Sequence, residues 1–171
     1  MLTDNIRIAK GKDIDEIFPL IQLVGSQTKS EWFDYSTEYE YYKDAVDHNP
    51  CFVATDNGKI VASFTSYIQE EIHPHGMYEA LGITDGHGIM SLEDCVVLPE
   101  YRGHRLEAVL GQKILDFVKQ NNPDIHTAYV TVHPDNIASV KNLKRIGFTV
   151  CKEVLLYGGN RRYIMKKDIK D

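Results

Sequence analysis

Between Val96 and Ile114 the chain reads VVLPEYRGHRLEAVLGQKI: a β-rich run that stops at Pro99, a short basic loop, then an amphipathic helix. A helix start can hold an anion, because its first backbone N–H groups lack intrahelical partners and the aligned peptide dipoles leave positive charge there. Arg102, His104 and Arg105 add side-chain charge at the same place, so the chemistry on offer is phosphate binding. The same residues also read as an exposed basic helix cap, and local sequence does not separate the two. Just upstream, SLEDCVV carries the carboxylates Glu93 and Asp94 on a strand. In a regular strand they face opposite sides, and a bulge would change that alternation. His73, His75 and His87 invite a metal reading, but no further donor stands at a recognised interval, so no metal is expected. Cys51, Cys95 and Cys151 are odd in number, far apart and free of any CxxC pairing, which argues against a disulfide framework and a zinc knuckle. They are expected to be buried thiols.

The elements that must position these groups follow from periodicity. Ile6–Ala9 reads as a strand, followed by a helix capped by Asp13 with Ile14, Ile17, Phe18 and Ile21 at helical spacing. A polar, aromatic-rich helix is predicted over Thr37–Asp47. Cys51–Thr55 and Lys59–Ile68 form a hairpin around Asp56-Asn57-Gly58, where Asn-Gly supplies the positive φ angles of a tight turn. Gln69–Gly88 has no clear period and reads as a long loop. Ile89–Leu98 is a strand, and Leu106, Val109, Leu110, Ile114, Phe117 and Val118 give about three turns of helix. His126–Val132 is a strand, and Asp135 caps a helix bearing Ile137, Val140, Leu143 and Ile146 that ends at Gly147. Phe148–Leu156 and Arg162–Lys166 close the chain as a hairpin around Tyr157-Gly158-Gly159-Asn160.

At 171 residues, with 43% hydrophobic and 26% charged side chains, the chain has the size and composition of one soluble globular domain, residues 1–171. No apolar run reaches the length of a membrane span, and MLTDNIRIAKGKD has no signal-peptide character, so a cytoplasmic protein without a membrane partner is expected. Segments 1–50, 51–100 and 101–171 carry net charges of −5, −7 and +6. The acidic total disfavours nucleic acid, whereas the asymmetry suits a phosphate-bearing ligand on one side and a cation on the other.

The order of elements and two motifs resemble the GNAT superfamily of acetyl-CoA-dependent N-acetyltransferases over nearly the whole chain. Arg102-Gly103-His104-Arg105-Leu106-Glu107 lies where that family has its Gln/Arg-x-x-Gly-x-Gly/Ala pyrophosphate loop, in the context Val97 to Gly103. HPDNIASVKNLKRIGF, His133 to Phe148, resembles the family's Asn-x-x-Ser/Ala helix ending in Gly-Phe. The closing LYGGNRRYIMKK resembles the last hairpin of a group of bacterial members. The implied fold is α/β: a mixed, mostly antiparallel central sheet with splayed central strands, flanked by helices.

The resemblance implies that Cys95, Val96 and Val97 present backbone groups to the pantetheine arm of acetyl-CoA. It places Arg102, Gly103, His104, Arg105, Leu106, Glu107 and Ala108 around the pyrophosphate. Asn136 matches the family's coenzyme-contacting asparagine, or is simply a helix cap. Two departures stand out: Arg105 replaces the first loop glycine, and Glu107 replaces the second small residue, where a carboxylate repels phosphate unless its side chain turns away. Glu93 matches the acidic position of the strand and is the expected general base, since an attacking amine must lose its proton; a surface or substrate-binding carboxylate is the alternative. Leu143 stands where many members place a tyrosine that protonates the leaving thiolate, leaving Tyr129, Tyr157 or water for that role.

Acceptor recognition is expected from the Gln69–Gly88 loop together with Trp32, Phe33 and Tyr35, which otherwise form a packed lid. The expected reaction is acetyl transfer from acetyl-CoA to a primary amine of a small molecule or peptide through a ternary complex. The rival readings are a non-catalytic coenzyme A-binding module, motivated by Arg105, Glu107 and Leu143, and an interaction domain that binds no nucleotide.

Overall fold

The computed structural model describes residues 5–70 and 76–170. Strand β1 (Ile6–Ile8) leads through a single 3-10 turn (Gly11–Asp13) into helix α1 (Ile14–Gln27). Asp13 joins the two: Arg7 donates to both of its carboxylate oxygens at 2.7 and 2.9 Å, and the Lys10 amide donates at 2.7 Å. The Arg7 guanidinium thereby holds the Asp13 carboxyl below its usual range. Ile14, Ile17, Ile21 and Val24, at helical spacing, are the buried stripe of α1. Helix α2 (Tyr39–His48) follows, then the hairpin of β2 (Phe52–Asp56) and β3 (Lys59–Ile68). Its turn places Asn57 and Gly58 at φ 49° and 78°, as the Asn-Gly pair predicts.

The remaining elements are α3 (Gly76–Leu81), β4 (Ile89–Val97), α4 (Leu106–Asn121), β5 (Thr127–Val132), α5 (Ile137–Arg145), β6 (Thr149–Leu156) and β7 (Asn160–Asp168). The strands form one sheet in the order β1-β2-β3-β4-β5-β7-β6, antiparallel throughout except for β4 against β5. That pair is joined only at Ile89–Thr127, Met90–Ala128 and Ser91–Tyr129, and its upper parts splay apart. Helices α4 and α5 cover one face, where Leu110, Ile114, Leu143 and Ile146 pack with Phe64, Met90 and Leu92. On the other face α1 and α2 cover β2 to β4 through Ile17, Ile21, Tyr42, Val53 and Val96. The mixed α/β architecture is the one anticipated. No described helix is long and apolar enough to cross a membrane.

Four local expectations are corrected. The Gln69–Gly88 stretch contains α3, whose six residues are too few to show a period. It exists because Met77 and Tyr78 are buried against Ile89, Tyr129 and Ile164. Helix α4 runs 16 residues, beyond the three turns expected. Asn136, not Asp135, caps α5, its Oδ1 accepting from the Ser139 amide at 3.4 Å. Of the three cysteines, Cys51 is buried, Cys95 is half-buried, and Cys151 is exposed on the sheet-edge strand β6. His73 and His75 lie outside the described residues; among the described residues no group of three or more His, Cys, Asp or Glu could hold a metal ion.

The segment between α1 and α2 packs tightly at its near end. The Tyr35 ring lies on Gly25, where a Cβ would stand 2.4 Å from Cε1. Gly25→Ala is therefore expected to destabilise the fold by about 1–3 kcal/mol, because ring or helix must shift. Equilibrium urea unfolding measures it.

Candidate active site

Where β4 and β5 part, a cleft of about 500 Å³ opens between them. Nine of the twelve residues singled out from sequence line it: Glu93, Cys95, Val97, Arg102, Gly103, Arg105, Leu106, Glu107 and Asn136. Val96 does not, since its side chain is buried against α1. Nor do Ala108, buried at 4% exposure, or His104, which is exposed.

The backbone of β4 is free on the cleft side. The Leu98 amide donates to Val61 O at 2.9 Å and the Asp94 amide to Thr65 Oγ1 at 3.1 Å, both toward β3. Strand alternation then turns the N–H groups of Cys95 and Val97 toward the gap, and that of Val96 toward β3. Of the three residues expected to offer backbone groups, the outer two have their N–H groups turned to the gap.

The pairing of β3 with β4 slips between Phe64–Cys95 and Ser66–Leu92, so one residue, Thr65, opposes both Glu93 and Asp94. This bulge puts both carboxylates on the α1–α2 face, unlike the alternation of a regular strand. Ser91 Oγ donates to Glu93 Oε1. Tyr42 donates its hydroxyl to Asp94 Oδ2 at 2.6 Å and accepts from the Ser36 amide at 2.9 Å. Burial pushes Asp94 up to about 7, against the Tyr42 hydrogen bond that favours the ionised form, with Glu93 and Asp34 adding repulsion.

At the other end of the cleft, Leu98, the turn Pro99–Tyr101 and the basic loop deliver the start of α4. Arg105 sits at φ 58°, ψ 28°, left-handed backbone that costs a non-glycine residue roughly 1–2 kcal/mol. Glycine is the natural occupant of that position, and here a cation stands there instead. Glu107 points to α5: its carboxylate accepts from Ser139 Oγ at 2.6 Å and Asn142 Nδ2 at 3.3 Å. Burial raises its pKa, opposed by those two hydrogen bonds. Neither Ser139, which completes the Asn136-x-x-Ser motif, nor Asn142 was singled out as a site residue; both lie in the Asn136 helix, one and two turns on, a spacing that could have marked them. Burial, with Glu107 and Asp94 adding repulsion, pushes the Cys95 thiol well up.

Leu143 is buried at 1% exposure and lines the cleft. Of the tyrosines considered in its place, Tyr129 packs edge-on to Tyr78 away from the cleft, whereas the Tyr157 hydroxyl lies 3.3 Å from Oγ1 of the cleft residue Thr131. Trp32 and Phe33 wall the cleft with Lys29, while Tyr35 stacks on Phe33 outside it.

The cleft thus lies where the parallel central pair of a seven-stranded sheet splays beside a basic strand-to-helix loop. The match of residues 17–148 to the acetyltransferase (GNAT) family model shows that the chain belongs to that family. Similar solved structures include an acetyltransferase of the GNAT family from Streptococcus pneumoniae, with 19% identity and TM-score 0.73 over 95% of this chain and 97% of that one. Another is the yncA protein from Salmonella typhimurium, solved with its cofactor acetyl-CoA, with 16% identity and TM-score 0.72 over 97% and 94%. A third is the ribosomal-protein-S18-alanine N-acetyltransferase from Escherichia coli, with 15% identity and TM-score 0.68 over 97% and 94%. Among curated protein sequences none matches significantly.

The Asp94 environment gives a pH signature. Its carboxyl titrates near 4 when unfolded and at about 7 in the fold, so the folded state binds the extra proton between those values and stability is lost as pH rises through them. Asp94→Asn removes that loss and still accepts from Tyr42. Its stability relative to wild type is expected to grow from about pH 4 to about pH 7 and level off above. Urea denaturation across pH checks this; a difference independent of pH would contradict it.

Proposed function

We propose that this chain transfers acetyl from acetyl-CoA to a primary amine of a small molecule or peptide by direct attack in a ternary complex. The observation that carries the reading is a single cleft joining Glu93 on the β4 bulge, the free N–H groups of Cys95 and Val97, and the Arg102–Arg105 helix start. The donor set fits the cosubstrate. Arg102, Arg105 and the first amides of α4 suit a pyrophosphate, and the open edge of β4 suits an amide-bearing arm. Glu107, tied to Ser139 and Asn142, is turned from the loop and does not oppose the phosphates head-on.

Acetyl-CoA supplies an acyl group activated as a thioester, with a thiol as a good leaving group. Glu93 takes the proton from the amine, directly or through water, because an ammonium has no lone pair for attack. The N–H groups of Cys95 and Val97 stabilise negative charge developing on an acyl oxygen beside them. Tyr157, through Thr131, or water returns a proton to the departing sulfur. The acidic first 100 residues favour a cationic acceptor, and a neighbour that acetylates a ribosomal protein's alanine keeps peptide amino termini in the screen with polyamines and amino sugars.

Leu143 in the cleft favours a second reading, a coenzyme A-binding module without catalysis. Acceptor-dependent thiol release across such a screen separates the two. Calorimetry tests the anion site: changing Arg102 and Arg105 together to Ala is expected to weaken acetyl-CoA binding about 10- to 100-fold, and unaltered affinity in a folded protein rejects the site. Glu93→Gln is expected to slow turnover about 100- to 10,000-fold with acetyl-CoA affinity retained. Full activity across the pH range removes Glu93 from the mechanism.

A further inference from the structure

The segment from Thr28 to Glu38, between α1 and α2, crosses the cleft, and its ends and its middle are held differently. Its ends are tied to the helices it joins. Gln22 Nε2 donates to Ser36 O at 2.7 Å, the Ser36 amide donates to the Tyr42 hydroxyl, and Tyr35 lies on Gly25. Thr28 is tied to α1, its Oγ1 donating to Val24 O at 2.7 Å, so it is the middle of the segment, Glu31 and Trp32, that reaches across the gap. Two contacts anchor it beyond the gap: Arg162 of β7 donates from Nη1 to Glu31 O at 2.6 Å, and the Trp32 ring stacks on His133 with centroids 6.1 Å apart. Lys29 Nζ lies 4.7 Å from the centre of the same indole. Between these anchors Trp32 and Phe33 form the cleft wall.

Arg162 is unusual for a buried arginine. It is 2% exposed, yet no carboxylate pairs with it among the described residues. Nη1 donates to two main-chain carbonyls, Glu31 O and Arg161 O at 2.8 Å, and the guanidinium carbon lies 5.4 Å from the centre of the Tyr157 ring. Burial lowers its pKa, opposed by the more distant charges of Tyr157 and of Asp34, which lies in the Thr28–Glu38 segment itself. If the segment lifts, Glu31 O leaves and the guanidinium regains water, so desolvation works against closure while the charged hydrogen bond works for it. A wall held by that balance can admit and release a ligand and still close over it.

We propose that Arg162 is a positioning residue that holds the Thr28–Glu38 segment across the cleft, so that the wall carried by Trp32 and Phe33 sets how fast bound ligand leaves. The ligand half of this proposal rests on the acetyl-CoA reading of the cleft. The segment half does not, and the two are tested separately.

Trp32 is the single tryptophan of the chain, so its fluorescence reports the segment directly. Acrylamide quenching is measured on free wild type, Arg162→Met, which keeps the apolar stem, and Arg162→Lys, which keeps the charge but offers one donor group. Quenching is expected to rise about threefold in the Met variant and by an intermediate amount in the Lys variant, with far-UV circular dichroism unchanged. Stopped-flow release of acetyl-CoA, followed by the same signal, is expected to be about tenfold faster in the Met variant. Unchanged quenching in a folded Met variant overturns the positioning role, and unchanged release with raised quenching overturns control of the ligand. If the Met variant does not fold, the Lys variant decides, and a Lys variant as shielded as wild type overturns the proposal. Failure of acetyl-CoA to bind wild type would sink the acetyltransferase reading, and with it the ligand half; quenching would still decide the segment's anchorage.

Discussion

The parting of β4 from β5 is the constraint on which the rest of the molecule depends. Two parallel strands held at three residue pairs and then released leave backbone donors and acceptors without partners in the middle of a sheet, and such groups demand either water or a ligand. The two strands can diverge without the sheet coming apart because β3 holds one and β7 the other along their length. The gap then gains its chemistry from what each strand leads into. β4 runs out to the basic loop and α4, and β5 runs out to the Asn136-capped helix, so both helix starts face one space.

Electrostatics divides that space. Toward α1 and α2 the β4 bulge gathers Glu93 and Asp94, and burial keeps Asp94 protonated to near neutrality. Toward α4 stand Arg102 and Arg105, with Glu107 restrained by hydrogen bonds from α5. A cationic end and a carboxylate end, separated by open β-strand backbone, are the groups that the proposed transfer from a phosphate-bearing donor to an amine would use. Strain and charge are exchanged at Arg105. A left-handed backbone that disfavours a side chain puts a cation where glycine would leave only amide groups.

Much of this was legible in the chain because it is local. Asn57-Gly58 announces its hairpin, the run from Val96 through Pro99 to Ile114 announces strand, loop and helix, and Gly147 announces the end of α5 at φ 99°. What was not legible depends on partners distant in sequence. The facing of Glu93 and Asp94 is decided across the sheet at Thr65, and α3 exists only through its burial on β4, β5 and β7. Glu107 is held toward α5 by Ser139 and Asn142, 32 and 35 residues on. The anchor of the cleft wall joins Arg162 to Glu31 across 131 residues, and no periodicity reports such a contact.

Amide hydrogen exchange, read residue by residue with and without saturating acetyl-CoA, tests most directly the claim that the gap between β4 and β5 holds the cosubstrate. The amides of Cys95 and Val97 are expected to exchange about tenfold more slowly in the complex, while Leu98, already bonded to Val61, keeps its rate. Saturating binding that leaves Cys95 and Val97 at their free-protein rates would contradict the account.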